Sequence, residues 1–371
     1  MRILHLVHVR FWNASAQYAI DLATAQQRAG HEVTVLTARD ELPAVHAQGR
    51  PFQLVERSLH PLHSLDILHD IRRLGKTADV VNTHHADMQN LALLALRGPT
   101  RPTLVRTRVD VRPAKGGLLT RLLYNHRLDG VILPGEDSRQ RYIDSLGVHP
   151  ERLQVVYGGV DHQQFTPRPD VRDRMRAQWK LPPEAVVFGY VGRLAPIKAP
   201  DILIEAAQAV RSHHPHAYFV IAGKAIPGHE EQYRALADRS RSDGIRFLGH
   251  VDNISAVMNA LDVGVITSVG SEAHCRVGLE MMSAGLPVIG TEVGVIPEVV
   301  KHNETGYIVR SRSARELASA MTKLACDTPL RMRFREQALR HIQSHFTYER
   351  WVAATEQAYH RARRDRIRRW I

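Results

Sequence analysis

Glu272 and Glu280 stand either side of a seven-residue spacer in Gly270-Ser-Glu-Ala-His-Cys-Arg-Val-Gly-Leu-Glu280. The apolar run from Asp262 to Thr267 reads as a buried strand. Val277, Met281 and Ala284 then recur at i, i+4 and i+7, the buried face of a helix, which Gly285 ends before Pro287 opens another strand. Glu272 is therefore expected in a strand-to-helix loop and Glu280 within the helix. A helix beginning there leaves backbone N–H groups at about 274–277 without intrahelical partners, and such an end favours phosphate. Arg276 would add a fork of donors suited to an anion, and carboxylates bind sugar and ribose hydroxyls well. Taken alone, two such glutamates are ordinary solvated charges.

A second anion-seeking feature shifts that balance. Gly192-Arg193-Leu-Ala-Pro-Ile-Lys198 follows a strand directly and precedes a helix. In a doubly wound domain its two cations would face the same carboxyl edge as the 270–280 loop, and their natural ligand there is a diphosphate. An isolated Arg and Lys five apart would be surface charges.

These loops need a framework of strands and helices. Ile3–Val9, Glu32–Thr37, Asp79–Asn82, Pro102–Thr107, Gly130–Leu133 and Leu153–Tyr157 read as strands, with helices at 15–28, 64–75, 87–97, 116–127 and 137–146. After Pro167-Arg-Pro169 the alternation restarts: strands near 186–191, 218–222, 246–248, 263–267, 287–290 and 306–309, and helices at 200–211, 229–242, 276–284, 313–326 and 330–344. Alternation of this kind predicts α/β units with parallel sheets and ligands at the carboxyl edges.

The 371 residues suit two domains. No apolar run approaches the ~18 residues of a membrane span. Cys275 and Cys326 show no disulfide pattern, which fits a reducing cytoplasm. The formal charge is +12, and residues 361–371 hold six arginines against one aspartate together with Trp370 and Ile371. Such an end suits an anionic membrane surface as well as a solvated helix terminus. Nucleic acid is disfavoured, because no binding motif accompanies the charge.

The spacing Glu272-x7-Glu280, followed by Met282-Ser-Ala-Gly-Leu-Pro287, resembles the E-x7-E signature of the family 4 glycosyltransferases. Gly192-Arg193-Leu194 with Lys198 resembles that family's phosphate element, Gly158-Gly-Val-Asp161 with Phe165 and Pro167 its interdomain linker, and Ala29-Gly-His-Glu-Val33 its first helix-to-strand turn. The resemblance implies GT-B architecture: two doubly wound Rossmann-like domains facing across a cleft, with a C-terminal helix crossing back. The expected domains are 1–168 plus the helix 348–371, and 169–347. It also implies a retaining, metal-independent transfer of a hexose-type sugar, with a nucleotide diphosphate sugar, UDP-linked by preference, as co-substrate and no bound cofactor. Arg193 and Lys198 would hold the diphosphate, Glu280 the ribose and Glu272 the donor sugar. His274, Cys275, Arg276 and Val277 would line the donor, and Val251 the base. The acceptor would be a glycan or glycolipid such as lipopolysaccharide core, met in the cytoplasm or at the inner membrane face.

Three departures stand out. The first loop, Arg10-Phe-Trp-Asn13-Ala-Ser15, lacks the paired glycines that let backbone approach a ligand; Asn13 is its candidate contact. No histidine lies between Thr103 and Pro113, where Arg106, Arg108 and Asp110 stand instead, with His84 and His85 on the preceding strand. Arg108 and His84 are the acceptor-side candidates. Cys275 occupies a place where a smaller residue is commoner. Two other readings remain: a sugar-nucleotide epimerase of similar architecture, and a sugar-nucleotide-binding protein without activity. A Rossmann dehydrogenase fails because the first strand-to-helix turn has no G-x-G-x-x-G.

Overall fold

The computed structural model describes residues 1–58, 64–109, 117–240, 244–270 and 272–368. Two compact units emerge, one of residues Met1–Gly158 with Tyr348–Ile371, the other of Gly159–Thr347. The division falls ahead of the expected break near Pro167 because residues 159–168 pack on the second unit. Val160 N–H donates to Phe346 O at 2.8 Å, Ser283 Oγ to Phe165 O at 2.6 Å, and Arg168 N–H to Asn259 Oδ1 at 2.6 Å.

The first unit carries seven parallel strands: β1 (Arg2–Val7), β2 (Glu32–Ala38), β3 (Gln53–Arg57), β4 (Val80–Thr83), β5 (Thr103–Thr107), β6 (Gly130–Leu133) and β7 (Leu153–Val155). They lie in the order β3-β2-β1-β4-β5-β6-β7, so the direction of winding reverses between β1 and β4. On one face Leu4, Leu6, Val81, Leu104 and Val131 form a core with Ile67, Ile71, Met88 and Tyr142 from the covering helices. The opposite face is covered by the helices Ala14–Arg28 and Tyr348–Arg368. The second of these is the expected C-terminal helix. It is latched by polar bonds as well as apolar contact: Trp351 Nε1–H donates to Tyr18 Oη at 2.9 Å and Asn82 Nδ2–H to Tyr359 Oη at 2.8 Å.

The second unit repeats the plan with β8 (Val186–Val191), β9 (Ala217–Ala222), β10 (Ile245–Gly249), β11 (Val263–Ile266), β12 (Val288–Thr291) and β13 (Gly306–Val309). Their order is β10-β9-β8-β11-β12-β13, again parallel, with the reversal between β8 and β11. Phe188, Phe219, Val263 and Ile289 centre its core. The strands are short and apolar on both faces because helices cover both.

Beneath the first unit's switch point lies a buried histidine pair. His5 Nε2 meets Gln26 Oε1 at 2.8 Å and His5 Nδ1 meets His84 Nε2 at 2.9 Å. With the amide oxygen as its partner, Nε2 carries the His5 proton, so Nδ1 accepts from His84 Nε2–H. Burial pushes the His5 pKa down to about 4, against the raising effect of the Gln26 bond. Burial, then His5, His85 and Arg106, pushes His84 well below its ordinary value. Unfolded, both would titrate near 6.5. The unfolded chain therefore binds more protons below that pH, and stability falls as pH drops from 6.5 towards 4. Urea midpoints measured across this window should fall for the native protein and fall less steeply for His5→Gln; identical slopes would show that the pair does not govern acid lability.

Candidate active site

The second unit's switch point brings three strand ends together. After β8 the chain forms a turn of 3-10 helix at Pro196–Lys198, and Ala199 then takes left-handed backbone at φ +44. Thr267 Oγ donates to Lys198 O at 2.7 Å, and Val269 N–H to Ile197 O at 2.9 Å. These bonds tie the loop after β8 to the loop after β11. Thr291 Oγ, at the end of β12, donates to Ser268 O at 2.6 Å, and Val295 N–H to Glu272 O at 2.9 Å. Each loop thus satisfies its backbone groups on its neighbour.

Two glycines make this stitching possible. A Cβ at Gly223 would lie 1.8 Å from Gly192 O, and one at Gly294 would lie 2.2 Å from Glu272 O. Gly294 also takes φ +56, where a side chain is strained.

On this frame Lys198 Nζ forms an ion pair with Glu272 Oε2. Ser268 Oγ joins both, donating to Glu272 Oε2 at 2.9 Å and accepting from Lys198 Nζ at 3.3 Å. Together with Tyr190, Gly192, Cys275 and Gly278 they line a cavity of about 60 Å³, room for a water or two. Tyr190 Oη donates to Arg193 O at 2.8 Å, holding the turn that starts the loop; burial pushes the Tyr190 pKa up, so it stays a donor.

The helix of the expected second glutamate runs Arg276–Ser283, preceded by Cys275 in left-handed backbone at φ +49. Its opening N–H groups are those of residues 276–278, slightly beyond the expected 274–277, and Leu279 N–H already donates to Cys275 O at 3.1 Å. Glu280 is buried and ion-paired with the half-exposed Arg276, one turn back. Cys275 is 1% exposed, and burial pushes its thiol pKa up, which keeps it protonated. His274 is buried, with its pKa pushed down to about 3 by burial and then by Arg276, so it is neutral. Val277 borders the small cavity. Arg193 is exposed at the start of the loop that ends in Lys198, and Val251 follows β10 at the same sheet edge. The structure therefore brings Lys198, Glu272, Cys275 and Val277 together, with Arg276 and Glu280 on the adjoining helix. Sequence reasoning missed Ser268, Tyr190, Gly223 and Gly294. Only the glycines left a signal, each standing shortly after a strand.

In the first unit the candidates have structural partners. Asn13 Oδ1 accepts from Ala16 N–H at 2.9 Å and caps its helix. Trp12 stacks on His46, ring centroids 4.0 Å apart. The Arg108 guanidinium lies over the Tyr142 ring at 5.3 Å. His84 belongs to the buried pair already described. Asp110 lies outside the described residues.

Two parallel α/β units, each reversing at its central strands, and a carboxyl-edge site of this chemistry define GT-B architecture. The family model for glycosyl transferases group 1 matches residues 171–341, and that for Glycosyltransferase Family 4 matches residues 15–164. The two models thus fall one on each unit, the first unit being similar to a Glycosyltransferase Family 4 domain and the second to a glycosyl transferases group 1 domain.

It is 30% identical over 246 residues, 64% of its length, to the D-inositol 3-phosphate glycosyltransferase of Streptomyces bingchenggensis, of which it covers 53%. To that of Salinispora arenicola it is 31% identical over 231 residues, with 58% and 51% covered. The chain spans about half the length of these curated relatives. Among solved structures it is similar to Anabaena HepE in complex with UDP, with TM-score 0.84, 21% identity and 96% and 99% of the two chains covered. It is also similar to WaaG, a glycosyltransferase involved in lipopolysaccharide biosynthesis, with TM-score 0.70, 19% identity and 96% and 98% covered.

Gly294→Ala tests the frame without touching a charged group. The added methyl must displace the Glu272 carbonyl, and alanine in left-handed backbone costs about 1–2 kcal/mol. A thermal scan should show a melting temperature lowered by a few degrees, as that cost implies. An unchanged melting temperature would mean that the loop carrying Glu272 yields to the methyl without strain.

Proposed function

We propose that this protein is a retaining glycosyltransferase that moves a hexose-type sugar from a nucleotide diphosphate sugar, preferably UDP-linked, to a hydroxyl of a cell-surface glycan or lipid-borne acceptor. The observation carrying this reading is the convergence of Lys198, Ser268 and Glu272 at the second unit's switch point, beside the opening N–H groups of the helix Arg276–Ser283. A diphosphate arriving there would take Lys198 as counter-charge, with Arg193 reaching from the same loop. Glu272, released from that cation, would accept hydrogen bonds from the donor sugar, and Glu280 from the ribose.

The bond that breaks joins the anomeric carbon to the leaving phosphate oxygen. As it lengthens, positive charge grows on the sugar and negative charge on the phosphate, and the fixed cation and helix amides stabilise the latter. The acceptor hydroxyl forms the new bond on the face the phosphate leaves, and its proton passes to the departing phosphate oxygen. That order retains the anomeric configuration and asks neither for a protein base nor for a divalent metal.

The relatives named as D-inositol 3-phosphate glycosyltransferases support a phosphorylated acceptor, and HepE's complex with UDP supports the nucleotide. The likeness to WaaG and the +12 charge support an acceptor of lipopolysaccharide-core type at the inner membrane face. Titration with UDP, GDP and ADP sugars, followed by a turnover assay with the anomeric configuration of the product determined, tests the whole reading. A new glycoside of retained configuration is expected. An altered nucleotide sugar without a glycoside would make the protein an epimerase, and binding without turnover an inactive binder.

Lys198→Ala should lower transfer by about 10²–10³-fold, the cost of removing one well-placed donor to a developing oxyanion; an unchanged rate would remove the phosphate from this loop. Glu280→Ala leaves Arg276 half-exposed and solvated, so it should raise the donor KM with little change in melting temperature. A lowered melting temperature with unchanged KM would make Glu280 a structural partner of Arg276.

A further inference from the structure

We propose that the helix Leu118–Leu122 and the turn of π-helix after it, Leu123–Arg127, form a docking surface for an anionic lipid bilayer. For its purpose this rests on the lipid-borne acceptor proposed above, although its physical basis is separate. Leu118, Leu119 and Leu122 are 75%, 72% and 45% exposed, and the helix Leu118–Leu122 buries none of its residues. At i, i+1 and i+4 they share one face. No other helix among the described residues leaves three large apolar side chains this open. Water is a poor environment for such a cluster, and clusters of this kind mark interaction surfaces.

The charge of the segment identifies the partner. Gly117–Leu128 contains Arg121, His126 and Arg127, all exposed, and no acidic residue. An apolar face bordered by arginines is the pattern of a helix lying in the plane of a membrane interface, leucines among the acyl chains and guanidiniums at anionic headgroups. A second copy of the chain would set the same arginines against one another.

The rest of the segment is fastened to the unit. Tyr124 and Leu128 are buried. Asn125 Nδ2–H donates to Gly147 O at 3.1 Å, and His149 N–H to Asn125 Oδ1 at 2.9 Å. The leucines therefore stand on an anchored support and contribute nothing to the core. This places the membrane contact away from the basic C-terminal segment read in the sequence. There, Arg366 donates to Arg101 O within the first unit, and residues 369–371 lie outside the described range.

The test is co-sedimentation of the full chain with phosphatidylcholine vesicles, with and without phosphatidylglycerol, at low and high salt. Native protein should pellet with the phosphatidylglycerol vesicles alone, and salt should weaken the association. The triple variant Leu118→Ser, Leu119→Ser, Leu122→Ser should keep its melting temperature and lose bound fraction by about tenfold or more. Arg121→Ala with Arg127→Ala should lose the preference for phosphatidylglycerol. Native protein that ignores both vesicles overturns the proposal, as does a triple variant that binds as well as native. So does a native dimer, seen by sedimentation velocity, that the triple variant makes monomeric without any vesicle binding. UDP calorimetry on the same proteins separates the two readings. Loss of vesicle binding with intact UDP affinity belongs to the surface, and absence of UDP affinity with intact vesicle binding belongs to the site.

Discussion

Lys198 and Glu272 neutralise each other in a half-buried position, and the chemistry proposed for the second unit would depend on that pairing. Either charge alone, withdrawn from water, would cost several kcal/mol, and the pair with its Ser268 bonds offsets that cost. The pair also leaves the ligand-free site balanced. In the function proposed above, a diphosphate would bring excess negative charge, so the lysine could change partners while the carboxylate turned to hydroxyl groups. Such an exchange needs both side chains within one ligand's reach, and that distance is set by backbone. Gly223 lets the loop after β9 pass against Gly192, and Gly294 lets the loop after β12 pass against Glu272. The position of the charges is thus decided where no charge is present.

The first unit solves a different problem. Its C-terminal helix must return to a sheet whose helix-covered face already carries polar side chains. His5 and Asn82 on the sheet, with Tyr18 and Gln26 on the helix Ala14–Arg28 beside it, are all buried. Trp351 and Tyr359 answer them with an N–H donor and a hydroxyl, so the helix docks by completing hydrogen bonds as well as by excluding water. Arg101 and Asp129 reinforce the adjoining sheet edge with two bonds, 2.6 and 2.9 Å, on a carboxylate that is fully buried. A buried polar layer of this kind is demanding, since any unmet member is costly. It also selects one register for the returning helix, which an apolar stripe alone would do less sharply.

The order of strands and helices was legible because parallel strands buried on both faces are short apolar runs with glycine and proline at their ends. Helices of strong period, such as Ser64–Gly75 and Ala314–Cys326, fell close to their expected limits. The strand Gln53–Arg57 escaped notice because it lies at the sheet's edge and reads Gln-Leu-Val-Glu-Arg, too polar for an apolar-run criterion. The helix Pro169–Gln178 escaped because it buries no residue and opens with the proline that marked a break. In the site, Glu272, Glu280 and Lys198 could be found because their types and spacings carry chemistry. Ser268 could not, since one hydroxyl after a strand has no distinguishing pattern. The partners of Asn13 and His84 were equally invisible, because capping and buried pairing arise from contacts that no local spacing encodes.

Arg276 shows how a local penalty can mark a ligand's place. A cation in the first turn of a helix opposes the helix dipole, and nothing in helix formation calls for arginine there. Glu280 relieves the conflict one turn on, at the cost of holding its own carboxylate in a pair. The two acidic groups at this edge are therefore both matched to cations in the ligand-free protein, Glu272 to Lys198 and Glu280 to Arg276. Cations that oppose the dipole raise the positive potential at the helix opening above what the amides alone supply. A neutral ligand would gain nothing from that arrangement. In the function proposed above a diphosphate would gain twice, from amides directed at it and from the Lys198 ammonium held in a half-buried pair, with the half-exposed Arg276 beside it. On that reading the charge pattern would select for the anionic part of a ligand, and the carboxylates those cations release would become acceptors for the hydroxyl groups on either side of it.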